Sequence, residues 1–144
     1  MIKIKRVFHL GLPVNDLDRA TKFYSEVLGM KCKKNMGFDI EETGLPYKEV
    51  YGQFPQNSRL FMEDETPLVL YQRPKPIKKG DLDDGLAHIA LETSKDNFDR
   101  AVEELKKAGL KMLPDKVMAV PSREGRSIYF FDPEGNYIQI HCPD

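Results

Sequence analysis

Two of the three histidines in this 144-residue chain, His9 and His88, stand in closely similar settings, Phe8-His9-Leu10-Gly11-Leu12 and Ala87-His88-Ile89-Ala90-Leu91. In both, apolar residues alternate as in a β-strand, which turns the imidazole away from the aliphatic face. Gln139 lies in a third alternating segment, on the face of Tyr137 and His141 and opposite Ile138 and Ile140. Two neutral imidazoles and an oxygen donor, with coordination positions to spare, suit a first-row divalent ion that must also hold a substrate. His9, His88 and Gln139 are therefore the candidate ligands. His141, about 7 Å further along the same strand face, is the alternative to Gln139.

These residues need strands to hold them. Asp132-Pro133-Glu134-Gly135-Asn136, between two alternating apolar runs, reads as a hairpin turn in which Pro presets φ and Gly and Asn supply positive φ. Residues 7–14 read as a strand with Phe8, Leu10 and Leu12 on its apolar face. A helix capped by Asn15 or Asp16 follows, carrying Leu17, Ala20, Phe23, Tyr24, Val27 and Leu28 at helical spacing and stopping at Gly29. Residues 30–35 and 47–54 read as strands, and 58–62 with 67–73 as a hairpin around Glu63-Asp64-Glu65-Thr66. A charged, Pro- and Gly-rich connector without periodicity comes next. The pattern then restarts. Residues 86–93 form a strand, and a helix capped near Ser94 or Asp96 buries Phe98, Ala101, Val102 and Leu105 and ends at Gly109. Residues 111–113, 117–120 and the final hairpin complete the set.

The halves align residue by residue. Asp18-Arg19-Ala20 returns as Asp99-Arg100-Ala101, and residues 68–74 match 137–143, each ending in proline, which sets Leu70 against Gln139. The expected fold is α+β: two tandem βαβββ modules, residues 1–74 and 86–144 joined by a linker at 75–85, forming a curved mixed sheet around a cleft that receives both histidines.

A net charge of −1, 40% hydrophobic and 31% charged residues place the chain among ordinary globular proteins. Its Lys and Arg are dispersed, which argues against a nucleic-acid partner, and no stretch reaches membrane-spanning length. The N-terminus lacks the apolar core of a signal peptide, so the expected location is the cytoplasm. Cys32 and Cys142 make neither a metal knuckle nor a disulfide framework, which fits a reducing compartment. Arg123 and Arg126, beside Gly125, can clamp a carboxylate or phosphate. Glu49, in polar alternation with Val50, is the carboxylate to test as a general base.

The opening His9-x-x-x-x-Val14-x-Asp16-Leu17-x-x-Ala20-x-x-Phe23-Tyr24, the second His88 and the closing Asp132-Pro133-Glu134-Gly135-Asn136 together resemble the vicinal oxygen chelate superfamily. It includes glyoxalases, bleomycin-resistance proteins, fosfomycin-resistance enzymes, methylmalonyl-CoA epimerases and extradiol dioxygenases. The resemblance implies metal ligands at His9, at His88 and at Gln139, where the family carries a carboxylate. Leu70 occupies the place of the fourth ligand of glyoxalase-like members, so the pattern is nearer to the three-ligand branches. Residues 124–130 are similar to fosfomycin-resistance sequences, which implies substrate contacts from Ser127 and Tyr129. Ala119 falls about where that branch has a phosphonate-binding lysine.

The resemblance further implies a divalent ion (Ni, Mn, Fe, Co or Zn), a small oxygen-chelating substrate in a lyase, isomerase, transferase or dioxygenase reaction, and a homodimer. Glutamine in place of the carboxylate leaves the ion its full +2 charge, which weakens binding and strengthens its Lewis acidity. Two alternatives stay open. One is a metal-free protein that sequesters a drug or other small ligand as bleomycin-resistance proteins do; the other is a carbon-acid epimerase.

Overall fold

A computed structural model of the chain describes residues 2–3, 5–34, 56–77, 88–113, 118–119 and 125–143. Asp16 starts the first helix: its carboxylate accepts a 2.9 Å hydrogen bond from the Arg19 N–H, one of the donors a helix start leaves unpaired. Helix α1, Leu17–Lys22, continues into a wider turn at Phe23–Val27, where the Leu28 N–H reaches back five residues to the Phe23 carbonyl. Gly29, at φ 71°, ends it, and the Met30 N–H closes on the Tyr24 carbonyl. The helix buries Ala20, Phe23 and Tyr24. Its buried Thr21 hydroxyl donates to Ser58 Oγ at 2.9 Å, so neither hydroxyl is stranded in the core.

The chain divides into two compact units, Met1–Ile77 and Lys78–Asp144. In the first, strands β1 (Leu10–Val14), β2 (Lys31–Lys34), β3 (Asn57–Phe61) and β4 (Pro67–Gln72) form a mixed sheet in the order β1-β4-β3-β2. In the second, β5 (Ile89–Glu92), helix α2 (Lys95–Lys107), β6 (Met118–Ala119), β7 (Gly125–Phe131) and β8 (Tyr137–Pro143) follow the same plan, with sheet order β5-β8-β7-β6. Each unit is thus β, α, then three strands, and the architecture is α+β as expected. In each, the last strand pairs parallel with the first: Leu10 faces Leu68, and Ile89 faces Ile138. Helix α2 lays Phe98 and Leu105, both fully buried, on the sheet face formed by Ile128, Phe130, Ile138 and Ile140. Each such side chain contributes about 1.5–3 kcal/mol.

Several expected boundaries move. The first strand begins at Leu10 rather than residue 7, because its partner β4 begins only where the chain leaves the preceding turn. Phe8, expected on the apolar face, is consequently 72% exposed. Residues 111–113 contribute only a bridge from Met112 to Phe130 rather than a strand. In the final hairpin Gly135 takes positive φ, at 78°, but Asn136 does not; it closes the turn instead, its backbone carbonyl accepting from the Asp132 N–H and its carboxamide donating to Asp132 Oδ2. The strand expected at 47–54 lies outside the described residues.

Pairing also corrects the internal repeat. From β3 through its turn to β4, and from β7 through its turn to β8, every paired residue recurs at an offset of 70: Asn57 with Ser127, Arg59 with Tyr129, Glu65 with Gly135, Leu68 with Ile138. The proline alignment was one residue short. The first-unit counterpart of Gln139 is therefore Val69, not Leu70, and a slip of one residue exchanges the two faces of a strand.

Candidate metal centre

Strand β8 runs between β5 and β7, so its outward side chains meet those of both neighbours. Tyr129 is paired with Gln139 and Ser127 with His141, all four on the face away from α2. His88 immediately precedes β5, whose Ala90 is paired with Gln139. Its Nε2 lies 3.1 Å from Gln139 Oε1. The other end of that carboxamide, Nε2, donates to Ser127 Oγ at 2.9 Å, and Ser127 Oγ lies 3.0 Å from His141 Nδ1. Four side chains, three on β7 and β8 and one just ahead of β5, thus form one unbroken polar row, His88, Gln139, Ser127, His141.

An aromatic group flanks the row. The His88 ring packs edge-on against Tyr137, with centroids 5.7 Å apart, and against Tyr129, at 6.1 Å. The two tyrosines stack on each other at 5.8 Å, and Phe131 lies 5.2 Å beyond Tyr137. Burial, and then the neighbouring Tyr129 phenol, push the Tyr137 hydroxyl above its ordinary pKa, so it stays protonated and enters any contact at neutral pH able to donate. Neither Tyr137 nor Phe131 was singled out as a site residue from sequence. The alternation of β8 already set Tyr137 on the Gln139 face, and that was the available signal.

Arg126 is the second-unit candidate that leaves this face. Arg126, between the outward Gly125 and Ser127, turns toward α2: its guanidinium is 2.8 Å from Asp99 and 4.6 Å above the Phe98 ring. It does not join Ser127 and Tyr129. His9 belongs to the first unit, is exposed, and packs edge-on with Phe8 at 5.7 Å. Leu70 is fully buried in the first unit, as is Val69, the true counterpart of Gln139. Glu49 and Arg123 lie outside the described residues.

Do these residues fit a metal? Donor atoms about 2.1 Å from one ion and at right angles to each other lie about 3 Å apart. The 3.1 Å between His88 Nε2 and Gln139 Oε1 meets that requirement, and an ion would take the place of the proton now shared between them. The donor set is neutral. Among the described residues no three His, Cys, Asp or Glu side chains converge, so any ion here depends on the amide oxygen and on further ligands.

Two tandem βαβββ units, each closed by a parallel pairing of its last strand with its first, define the architecture, and the second carries glutamine, serine and histidine in one polar row. The chain belongs to the glyoxalase/bleomycin resistance protein/dioxygenase superfamily, which it matches over residues 6–140. It is 28% identical over 138 residues to the metallothiol transferase FosB of Lysinibacillus sphaericus, spanning 96% of this chain and 82% of that protein. To the fosfomycin resistance protein FosX of Mesorhizobium japonicum it is 27% identical over 139 residues, spanning 96% and 86%. Its fold is that of a single-site variant of FosX from Listeria monocytogenes, solved with Mn(II) and 1S,2S-dihydroxypropylphosphonic acid: TM-score 0.69 over 99% of this chain and 95% of that one, at 18% identity. Among the described residues no helix is long and apolar enough to cross a membrane.

Proposed function

We propose that this protein is a divalent-metal-dependent enzyme acting on a small substrate that presents two adjacent oxygens, with His88 and Gln139 as two of its protein ligands. The reading rests on the 3.1 Å approach of His88 Nε2 to Gln139 Oε1. It is supported by relatives named for a metallothiol transferase and for fosfomycin resistance, and by Mn(II) in one structural neighbour. When bound, the ion would supply Lewis-acid stabilisation of charge developing on the substrate oxygens. Neutral ligands from the chain leave that charge undiminished and favour an anionic substrate. His88 and Gln139 hold one side of the site. Tyr129 and Tyr137 flank His88 and offer hydroxyls to the substrate. Arg126 is held by Asp99 on the opposite face, so on the described face of the polar row anion binding falls to the ion and the tyrosines. Ala119, where fosfomycin-resistance enzymes carry a lysine, points to a substrate other than fosfomycin. We extend the reading to a homodimer, which light scattering on the purified protein checks.

The aromatic group favours a second reading. Stacked Tyr129 and Tyr137, with Phe131 and His88, offer flat apolar surface on which a planar or cationic ligand would sit without any ion. One measurement separates the two: metal content by elemental analysis of tag-free protein beside His88→Ala. A stoichiometric Ni, Mn, Fe, Co or Zn that disappears in the variant supports the enzyme. Metal-free protein that takes up no ion from excess solution sinks it and leaves the binding protein.

A further inference from the structure

A carboxamide has two orientations related by a half-turn, and only one presents oxygen to His88. Gln139 is neutral and unsymmetrical, so unlike a carboxylate it can serve as an oxygen donor only if something fixes that choice. Ser127 Oγ lies 2.9 Å from the far end of the amide, and Ser127 is fully buried, without water as an alternative partner. A serine hydroxyl has a single proton. With Gln139 Nε2 donating to Ser127 Oγ, that proton is available to the other neighbour, His141 Nδ1 at 3.0 Å, whose lone pair can accept it. His141 then holds its ring proton on Nε2. In the opposite arrangement His141 would donate from Nδ1, the serine proton would turn to the amide oxygen, and the NH2 group would face His88. The tautomer of His141 and the orientation of Gln139 are one choice, transmitted through one hydroxyl.

We propose that His141 and Ser127 are positioning residues that lock the Gln139 carboxamide with its oxygen toward His88. This rests on the reading of Gln139 as an oxygen donor, and it gives Ser127 a task different from the substrate contact that resemblance implied. His141 is placed for it by Gly125, where a Cβ would stand 2.9 Å from His141 Cε1 and run into the Cys142 carbonyl. The ring occupies space that any other residue at 125 would take. His141 is thereby the partner of the ligand strand rather than a substitute ligand.

The test is a double-mutant cycle on the full chain. Mn(II) is titrated into wild type, His141→Phe, Gln139→Glu and the double variant, with free ion followed by electron paramagnetic resonance. We expect His141→Phe to weaken Mn(II) binding about tenfold in the glutamine background. In the Gln139→Glu background, whose carboxylate has two equivalent oxygens and no orientation to lose, the same change should cost less than about twofold. Equal losses in both backgrounds, or no loss with glutamine, overturn the inference, since a merely structural role of His141 would not distinguish the two. If wild type binds no Mn(II), the reading of the site as a metal centre fails by itself, and the metal-free protein still decides this one. Long-range proton–nitrogen NMR spectra that find His141 unprotonated at Nδ1 support it, and a protonated Nδ1 overturns it.

Discussion

The hairpins β3–β4 and β7–β8 are the same construction repeated 70 residues apart, and they differ in what they show outward. Where the second carries Ser127, Tyr129, Gln139 and His141, the first carries Asn57, Arg59, Val69 and Tyr71. The second row is joined end to end by hydrogen bonds. In the first, Val69 is buried and can ligate nothing. Pairing, register and turn are common to both, so they are the scaffold; the polar row is what one copy has added. The turns diverge too. Asp132 gathers three donors, the N–H groups of Glu134 and Asn136 and the Asn136 carboxamide, at 2.7–2.9 Å, and leaves positive φ to Gly135. The first turn has Met62 at the corresponding position and forces Glu65 to φ 62°, with Asp64 accepting from the Thr66 N–H and hydroxyl.

Removing the Asp132 carboxylate should break this comparison most severely. Asp132→Ala strands the buried donors around it and should cost about 3 kcal/mol in chemical denaturation, against a much smaller loss for Met62→Ala. Placing a glutamine at the first-unit counterpart of Gln139, Val69→Gln, should destabilise by about 2 kcal/mol, because a polar amide replaces an apolar side chain in a buried site. It should leave the metal content unchanged. A cost no greater than that of a surface substitution would show that the offset of 70 misplaces the counterpart.

Exchanging the turn residues sharpens the contrast at lower cost. Gly135→Ala should lose about 1 kcal/mol, and Glu65→Gly should gain about 0.5 kcal/mol, since a side chain at positive φ is strained and glycine is not. Melting temperatures of the two variants should move in opposite directions. The smallest effect concerns pH. Tyr137 has its pKa raised in the folded state, so the stability it contributes is complete below the ordinary tyrosine range and is lost as pH rises from there through the folded value. Tyr137→Phe should flatten that alkaline decline, measured by denaturation at a series of pH values; an unchanged slope would assign the decline to other groups.

Much of this was legible from residue order. Alternation located β1, β5 and the last hairpin, helical spacing located α1 and α2, and the twin histidine settings exposed the repeat. What failed was arithmetic at the level of one residue. Pro74 and Pro143 invited an alignment, but a proline beyond the pairing does not set register, whereas the turn and the parallel ladder do, and these gave Val69 rather than Leu70. The facing of Arg126 was missed for a related reason. Beside a glycine it read as a clamp for an anion, yet Gly125 is already in β7, where alternation sends Arg126 to the helix side. The linkage of Gln139 to His141 through Ser127 could not be read at all, since it depends on which residues two strands set opposite each other.

In each unit the strand synthesised last is inserted beside the strand made first, so Ile89 waits for Ile138 while β7 and β8 need only a short turn to meet. The hairpin is local in sequence and quick to form; docking of β5 closes a long loop and is slow. His88 stands at the entrance to β5 and Gln139 at the middle of β8. Their encounter therefore depends on the most distant strand pairing described in the second unit, and a chain that had formed only the hairpin would possess no site.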